Sequence, residues 1–399
     1  MIKPNRQIIS IFLFFLSSMA LAQSGNHKIE ELIKLSSFTM GKDSVESLPI
    51  VYQKKSLPFL KVVINGKEYL FLFDTGSSAS IVTKEIAENS VIKNVSTFYD
   101  AFEKKSKVNV VLQNIQIGNS SFDSILCVVS DIKLLSEIGC VKIDGVLGAN
   151  LINLCNWRID AEKKLMSFSS SAFKSEAINH YEFDIEFTDN SLPLLKLGYD
   201  DISFYCLVDF GYSGYLDLNE DILKKSEKIR RLNRIKGFGK YALSVNSTME
   251  DKVVRLIVDT LRIGQDTLLD IPATLFDTKP QLGSLFLNRY IVILNPKHRK
   301  LILTPSKKED SISFTYPLNF ALNKTNNLVI SYIWETEETR DKGLKIGQKV
   351  ISIDEQIFTQ LNNLDLCELK DKLNQKLKIK VVVEIGKKLK EFDLYKSIK

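Results

Sequence analysis

The stretch Leu70-Phe71-Leu72-Phe73-Asp74-Thr75-Gly76-Ser77-Ser78 recurs 135 residues later as Tyr205-Cys206-Leu207-Val208-Asp209-Phe210-Gly211-Tyr212-Ser213. In both copies an apolar run of strand-forming residues leads straight into Asp-x-Gly. A second pair of landmarks keeps the same offset. Gly145-Val146-Leu147-Gly148-Ala149-Asn150-Leu151-Ile152 answers Gln281-Leu282-Gly283-Ser284-Leu285-Phe286-Leu287, so each aspartate precedes its partner glycine, Gly148 or Gly283, by 74 residues. Two further segments repeat in the same order: Asn114 to Gly118 with Thr260 to Gly264, and Trp157 to Asp160 with Val292 to Asn295.

Around these anchors Val, Ile, Leu and Phe alternate with Gly, Asn and Asp turns, which predicts short β-strands in both halves. Brief helices are expected after Thr83 and Asn219, each an N-cap residue ahead of an acidic first turn. The fold class is therefore mainly β, with two similar lobes at residues 46–172 and 180–305. A chain of 399 residues exceeds what one hydrophobic core sustains, and 44% hydrophobic with 26% charged residues excludes a collagen-like or disordered chain.

A duplicated lobe with one carboxylate at a strand end can bring two carboxylates together across a pseudo-twofold axis. At about 3 Å they cannot both ionise cheaply, so they share a proton, one acting as base and the other as acid. A water between them can then be deprotonated as it attacks a peptide carbonyl, without metal, cofactor or covalent nucleophile. Gly76 and Gly211 fit positions where backbone approaches backbone or turns N–H groups toward the carboxylates.

Phe73-Asp74-Thr75-Gly76-Ser77-Ser78, the later Val146-Leu147-Gly148 followed by Ala149-Asn150-Leu151-Ile152, and the second copy of both resemble the aspartic proteases. The likeness is to a retropepsin-like fold fused into one two-lobed chain, as in pepsins, and covers roughly residues 55–305. It implies a pair of acid-protease β-barrels with Asp74 and Asp209 as the catalytic dyad. It also implies that Thr75 hydrogen-bonds across to the opposite loop, that Ser77 orients Asp74, and that Gly148 and Gly283 pack beneath the loops. Such enzymes close a β-hairpin flap over the substrate. Gly237-Phe238-Gly239 is the corresponding candidate in lobe two, and residues 95–108 around Tyr99 in lobe one.

The second loop departs from the pattern. Phe210 has no hydroxyl to reciprocate the bond expected of Thr75, and Tyr212 adds bulk beside Asp209. A lobe separation of about 1 Å would cost on the order of a hundredfold in rate.

Beyond a polar linker at 306–312, residues 313–395 carry Leu328 to Ile333, then Lys342-Gly343-Leu344-Lys345-Ile346-Gly347-Gln348-Lys349-Val350-Ile351-Ser352-Ile353-Asp354. A helix near Asn363 bearing Leu366, Leu369 and Leu373 and a strand from Ile379 to Ile385 are predicted to follow. This segment resembles a PDZ domain, which implies β-strand addition of an extended peptide and capture of its C-terminal carboxylate. Leu318, Asn319 and Phe320 then fall in the carboxylate loop; the alternative is a structural appendage that shields the cleft.

Lys3 and Arg6 precede the apolar run Ile8–Leu16, and Ala20-Leu21-Ala22 supplies a cleavage site, so residues 1–22 read as a signal peptide. An exported, periplasmic or extracellular protein with no stable membrane anchor after cleavage is expected, and an uncleaved N-terminal anchor is the rival reading. Without that segment the net charge falls from +6 to +4. The basic stretch Lys224, Lys225, Lys228, Arg230, Arg231, Arg234 and Lys236 is interleaved with apolar residues at helical spacing, a solvated helix face rather than a nucleic-acid stripe. Five cysteines (127, 140, 155, 206, 367) and three histidines provide neither a disulfide framework nor a zinc set. Buried thiols are one reading and a Cys127–Cys140 bridge the other.

No Gly-x-Ser-x-Gly elbow, phosphate loop or dinucleotide fingerprint is present. Two functions remain: an exported aspartic endopeptidase acting on peptide or protein substrates, and a noncatalytic peptide-binding pseudoprotease using the inter-lobe cleft and the PDZ groove.

Overall fold

The computed structural model describes residues 32–42, 44–54, 56–87, 92–99, 105–132, 140–243, 248–275, 279–306, 315–340 and 342–396. The expected signal peptide and linker residues 307–312 lie outside them. The mainly β class read from the repeat is the class that forms.

In each half the strand that ends in the repeated aspartate runs parallel to the short strand that leads to the repeated glycine. Phe71, Leu72 and Phe73 lie opposite Gly145, Val146 and Leu147, and Leu207, Val208 and Asp209 lie opposite Gln281, Leu282 and Gly283. A one-turn helix follows each glycine, Ala149–Ile152 and Ser284–Leu287. The 135-residue offset is thus a structural repeat, with equal strand order beneath both loops. Flat apolar residues fill these strands because they are covered on both faces, as parallel strands require.

The two halves join through a run of six antiparallel strands in the order Glu46–Pro49, Leu165–Ser169, Asn156–Asp160, Tyr290–Asn295, Lys300–Pro305 and Tyr181–Phe187. At its centre Trp157 faces Leu294 and Ile159 faces Val292. Trp157 is fully buried, donates its indole N–H to the Ile152 carbonyl at 2.7 Å, and meets the Phe73 ring edge-on at 5.0 Å. One hydrophobic core therefore runs from this sheet up to the residue preceding Asp74 and across to Phe210 and Leu282 of the other half.

Helices follow Thr83 and Asn219 at Lys84–Ala87 and Glu220–Lys225; the Asn219 side chain accepts from the Ile222 N–H. A second short helix, Glu227–Arg231, comes next. Ile222 and Ile229 are buried, while Lys224 pairs with Glu220 and Asp221, and Lys228 with Asp200.

The C-terminal residues have their own core, in which Leu318, Ile330, Val350, Leu366, Leu369, Val381 and Leu394 meet. Helix Asn363–Asn374 starts in a capping box between Asn362 and Asp365 and buries Leu366, Leu369 and Leu373. This module is fastened to both lobes. Its strand Leu328–Trp334 extends the sheet of lobe two, with Gly237 opposite Trp334, Phe238 opposite Ile333 and Gly239 opposite Tyr332. Its helix is linked to lobe one by a Cys140–Cys367 disulfide across 227 residues of sequence.

These contacts correct three expectations. Gly237, Phe238 and Gly239 do lie in a hairpin, of strands Arg234–Leu243 and Thr248–Ile263, but their outer edge is paired with the C-terminal module, so they are not a free flap. Glycine is required there because a methyl group at Gly237 would strike the Tyr332 hydroxyl and one at Gly239 the Ser331 carbonyl. Leu318, Asn319 and Phe320 form no carboxylate loop: they are strand residues of the hairpin Leu318–Leu322 with Leu328–Trp334. Cys127 does not bridge to Cys140; it is a buried free thiol, as are Cys155 and Cys206.

A non-reducing peptide map should recover one crosslinked fragment joining Cys140 to Cys367. Cys367→Ser should lower stability by about 2–4 kcal/mol, since the bond closes a very long loop in the unfolded chain; pairing of Cys140 with any other cysteine would contradict this arrangement.

Candidate active site

Asp74 and Asp209 end adjacent parallel-paired strands of their own lobes, and the two loops meet with both carboxyls fully buried. The approach is close enough that a side chain on either central glycine is impossible: a methyl at Gly76 would collide with the Asp209 carboxyl, and one at Gly211 with that of Asp74.

Each loop turns its N–H groups onto its own carboxylate. Asp74 Oδ1 accepts from Gly76 at 2.9 Å and Ser77 at 3.0 Å. Asp209 Oδ1 accepts from Gly211 at 2.8 Å and Tyr212 at 3.1 Å. The Gly76 N–H also lies close enough to Asp209 to favour its charged form. The Oδ2 atoms of both residues accept from no N–H or hydroxyl group of another residue; the two carboxyls hydrogen-bond each other, which requires a proton between them.

Burial raises both carboxyls above their ordinary range, and for Asp74 the charge of Asp209 adds to the rise. Asp209 has the richer supply of N–H donors, and proximity to Asp74 favours its ionised form. The pair therefore holds one proton at higher pH than isolated carboxyls would, with Asp74 the tighter holder.

Thr75 reaches across the junction. Its hydroxyl donates to the Val208 carbonyl at 2.6 Å and accepts from the Phe210 N–H at 3.0 Å. Phe210 cannot return these bonds. Its ring instead packs edge-on against Phe73 at 5.8 Å, the lobe-one counterpart of Val208, so the second half of the grip is an aromatic contact.

Ser77 hydrogen-bonds Asp74 through its backbone; its hydroxyl donates to the Ala79 carbonyl at 2.8 Å, which tightens the loop rather than touching the carboxylate. The Ser77 carbonyl accepts from the Ala149 N–H at 2.7 Å, and the Tyr212 carbonyl from the Ser284 N–H at the same distance. Gly148 and Gly283 lie directly beneath, against Ala79 and Gly214.

Tyr212 does not crowd Asp209. Its ring is buried, lies over Gly283 and Gly214, and sends its hydroxyl to Asp217 Oδ1 at 2.6 Å. The other Asp217 oxygen accepts from Gln281 Nε2 at 3.0 Å. Neither Asp217 nor Gln281 emerged from the sequence, because Leu216-Asp217-Leu218 reads as a half-exposed strand; aligning the two repeats strand by strand would have placed the aspartate in a doubly covered position.

Strands Ile92–Tyr99 and Lys105–Ile117 form a hairpin in lobe one, with Tyr99 opposite Lys105. The side chain of Tyr99 and the tip at 100–104 lie outside the described residues. An open cavity of about 570 Å³ on lobe two, walled by His180, Glu182, Lys196, Arg262 and Asp266, shares no residue with the loops. Among the described residues no three His, Cys, Asp or Glu side chains group as metal ligands.

Residues 60–151 match the family model described as aspartyl protease, a span that contains Asp74 and Gly148 and ends before the second copy. No curated protein matches the chain. Among solved structures, basic 7S globulin from soybean aligns over 66% of this chain and 95% of its own, at 9% identity and a TM-score of 0.42.

Because the raised carboxyls bind protons more readily when folded than unfolded, they contribute stability at acidic pH that is lost as pH rises from the ordinary carboxyl range through their folded values. Asp74→Asn should therefore raise the thermal midpoint at pH 7 and flatten its decline between pH 4 and 7. Equal midpoints for variant and parent across that range would refute the shared-proton assignment. Gly211→Ala should do the reverse, destabilising the protein at every pH by forcing the loops apart.

Proposed function

We propose that the protein is an aspartic endopeptidase that hydrolyses peptide bonds with a water activated between Asp74 and Asp209. The observation that carries this reading is the meeting of two loops whose carboxyls are pressed against each other's glycines and hydrogen-bond each other. The aspartyl-protease match over one of the loops supports it.

In this mechanism Asp209, richer in N–H donors, acts as the base that takes a proton from the water. Asp74 is the acid that protonates the carbonyl oxygen of the scissile bond. As the tetrahedral intermediate collapses, the proton now on Asp209 passes to the leaving amine. Burial performs two tasks: it keeps one proton on the pair and strengthens each electrostatic contact with the reacting carbonyl. Thr75 keeps the two loops in register while charge moves between them, and the lobe-one hairpin Ile92–Ile117 is the element we assign as flap. The lobe-two hairpin is pinned by the C-terminal module and serves as a fixed wall.

For that module we propose a peptide-binding role. Strand Leu318–Leu322 ends the long sheet, with no partner on its outer edge among the described residues, so an extended segment could add there. Export to the periplasm or the cell exterior is proposed on two grounds, the N-terminal sequence and a disulfide that an oxidising compartment would preserve.

The test is cleavage of a peptide mixture by the mature protein between about pH 3 and 7, read by mass spectrometry. Asp74→Asn and Asp209→Asn should each lower the rate by on the order of 10² to 10⁴. Retention of cleavage in either variant would remove the dyad. Peptide binding without cleavage by the parent would leave the noncatalytic reading.

A further inference from the structure

The two lobes use different residues beneath otherwise equivalent loops. By strand pairing, Ile81 opposite Val146 in lobe one corresponds to Asp217 opposite Gln281 in lobe two. The lobe-one pair is apolar and fully buried; the lobe-two pair is a carboxylate and an amide, equally buried. The same scaffold thus accommodates two hydrocarbon side chains at this place, yet lobe two holds a carboxylate, whose burial costs several kcal/mol unless its bonds recover it.

Those bonds lead to the candidate dyad. Tyr212 has two donors. Its N–H is on Asp209 Oδ1 at 3.1 Å, and its O–H is on Asp217 Oδ1 at 2.6 Å. Gln281 Nε2 holds the remaining Asp217 oxygen at 3.0 Å, from the strand paired directly with the Asp209 strand. Lobe one has the apolar pair Ile81 and Val146 at this place, a Ser80–Asn150 network beside it, and a loop that grips the opposite lobe through the Thr75 hydroxyl. Phe210 denies lobe two that hydroxyl.

We propose that Asp217 is a positioning residue for Asp209, acting through Tyr212 to fix from below the loop whose cross-lobe hydroxyl is missing. The assignment rests on Asp209 being a member of the reacting pair, as proposed above. Asp217 also feels the charge of Asp209 directly, and the effect is mutual. The groups acting on it are the Tyr212 phenol and Gln281 amide, which favour its charged form, Arg255, which does the same at longer range, and Asp209, which opposes it. The Cys206 thiol nearby is pushed up by burial and by both carboxylates. Burial brings Asp217 itself up to about 7, so it acquires charge only at the alkaline end of the range in which the proposed site would work.

The experiment compares Tyr212→Phe and Asp217→Asn in the full chain, with thermal midpoints recorded to establish that both fold. Tyr212→Phe keeps the ring and removes one bond; kcat should fall roughly tenfold with KM changed less than twofold, as for a group that supports only the reacting geometry. In both variants less negative charge faces Asp209. The pH at which the dyad loses its proton should therefore drop by on the order of half a unit, carrying the alkaline limb of the rate profile with it.

Carbon-13 carboxyl NMR of Asp209 provides the same midpoint without turnover. Absence of cleavage by the parent would count against the peptidase reading alone, while the NMR comparison still decides the positioning claim. Folded variants with parental Asp209 titration would overturn it, as would a kcat loss in Asp217→Asn with no movement of the profile, the signature of a structural residue.

Discussion

Two carboxyl groups buried face to face are the constraint on which the rest of this structure depends. Both are buried from bulk solvent, so each needs donors from the protein, and the protein has few to give: two N–H groups per loop, delivered by a turn whose central residue must be glycine because the opposite carboxyl occupies the place of a side chain. That requirement dictates the Asp-x-Gly triplet. It also dictates the layer beneath, where a glycine and a one-turn helix must come close enough to receive the loop carbonyls of Ser77 and Tyr212. The 74-residue interval between aspartate and glycine is the length of chain needed to leave the site, wrap the lobe and return.

Duplication would satisfy the constraint symmetrically, but here it is met in two ways. Lobe one reaches across with a threonine hydroxyl that serves two backbone partners of lobe two. Lobe two answers with an aromatic ring against Phe73, an apolar contact without the directionality of a hydrogen bond, and adds a polar brace from Tyr212 to Asp217 and Gln281. Each device suits its place. A hydroxyl fixes register between loops, whereas Phe210 extends the core that Trp157 and Phe73 already build between the lobes.

Sequence alone revealed the anchors because they are local: an apolar strand, a carboxylate, a glycine, then the same again at a constant offset. It also marked Phe210 and Tyr212 as departures: Phe210 indeed returns no hydroxyl bond across the lobes, while Tyr212 points to Asp217 rather than crowding Asp209. What stayed hidden was non-local. Nothing near Cys367 indicates Cys140 as its partner, and ladder pairing between Gly237–Gly239 and Tyr332–Trp334 leaves no periodic signature. The two glycines suggested a mobile hairpin; they are there because Tyr332 and Ser331 fill the space side chains would need. Leu318 to Phe320 misled for a related reason, since a strand that begins just after Pro317 looks like a loop in the text.

The C-terminal module is held to the two lobes by forces of different character. On lobe two it continues a β-ladder whose glycines and aromatic residues interlock over Gly237 and Gly239. On lobe one its helix brings Lys370 beside Lys54, with Asp371 the acid that acts on Lys54. The Lys370 ammonium is buried without a partner, and burial together with the Lys54 charge lowers it to about 7. The Lys370–Lys54 approach opposes contact at this edge and the Asp371–Lys54 attraction favours it. The Cys140–Cys367 bond fastens the same helix to lobe one covalently. The turn that carries Lys54 also carries Ser56, whose carbonyl accepts from Asn288 and whose hydroxyl donates to the Ser213 carbonyl in the Asp209 loop, so the edge of lobe one that meets the module also meets the lobe junction.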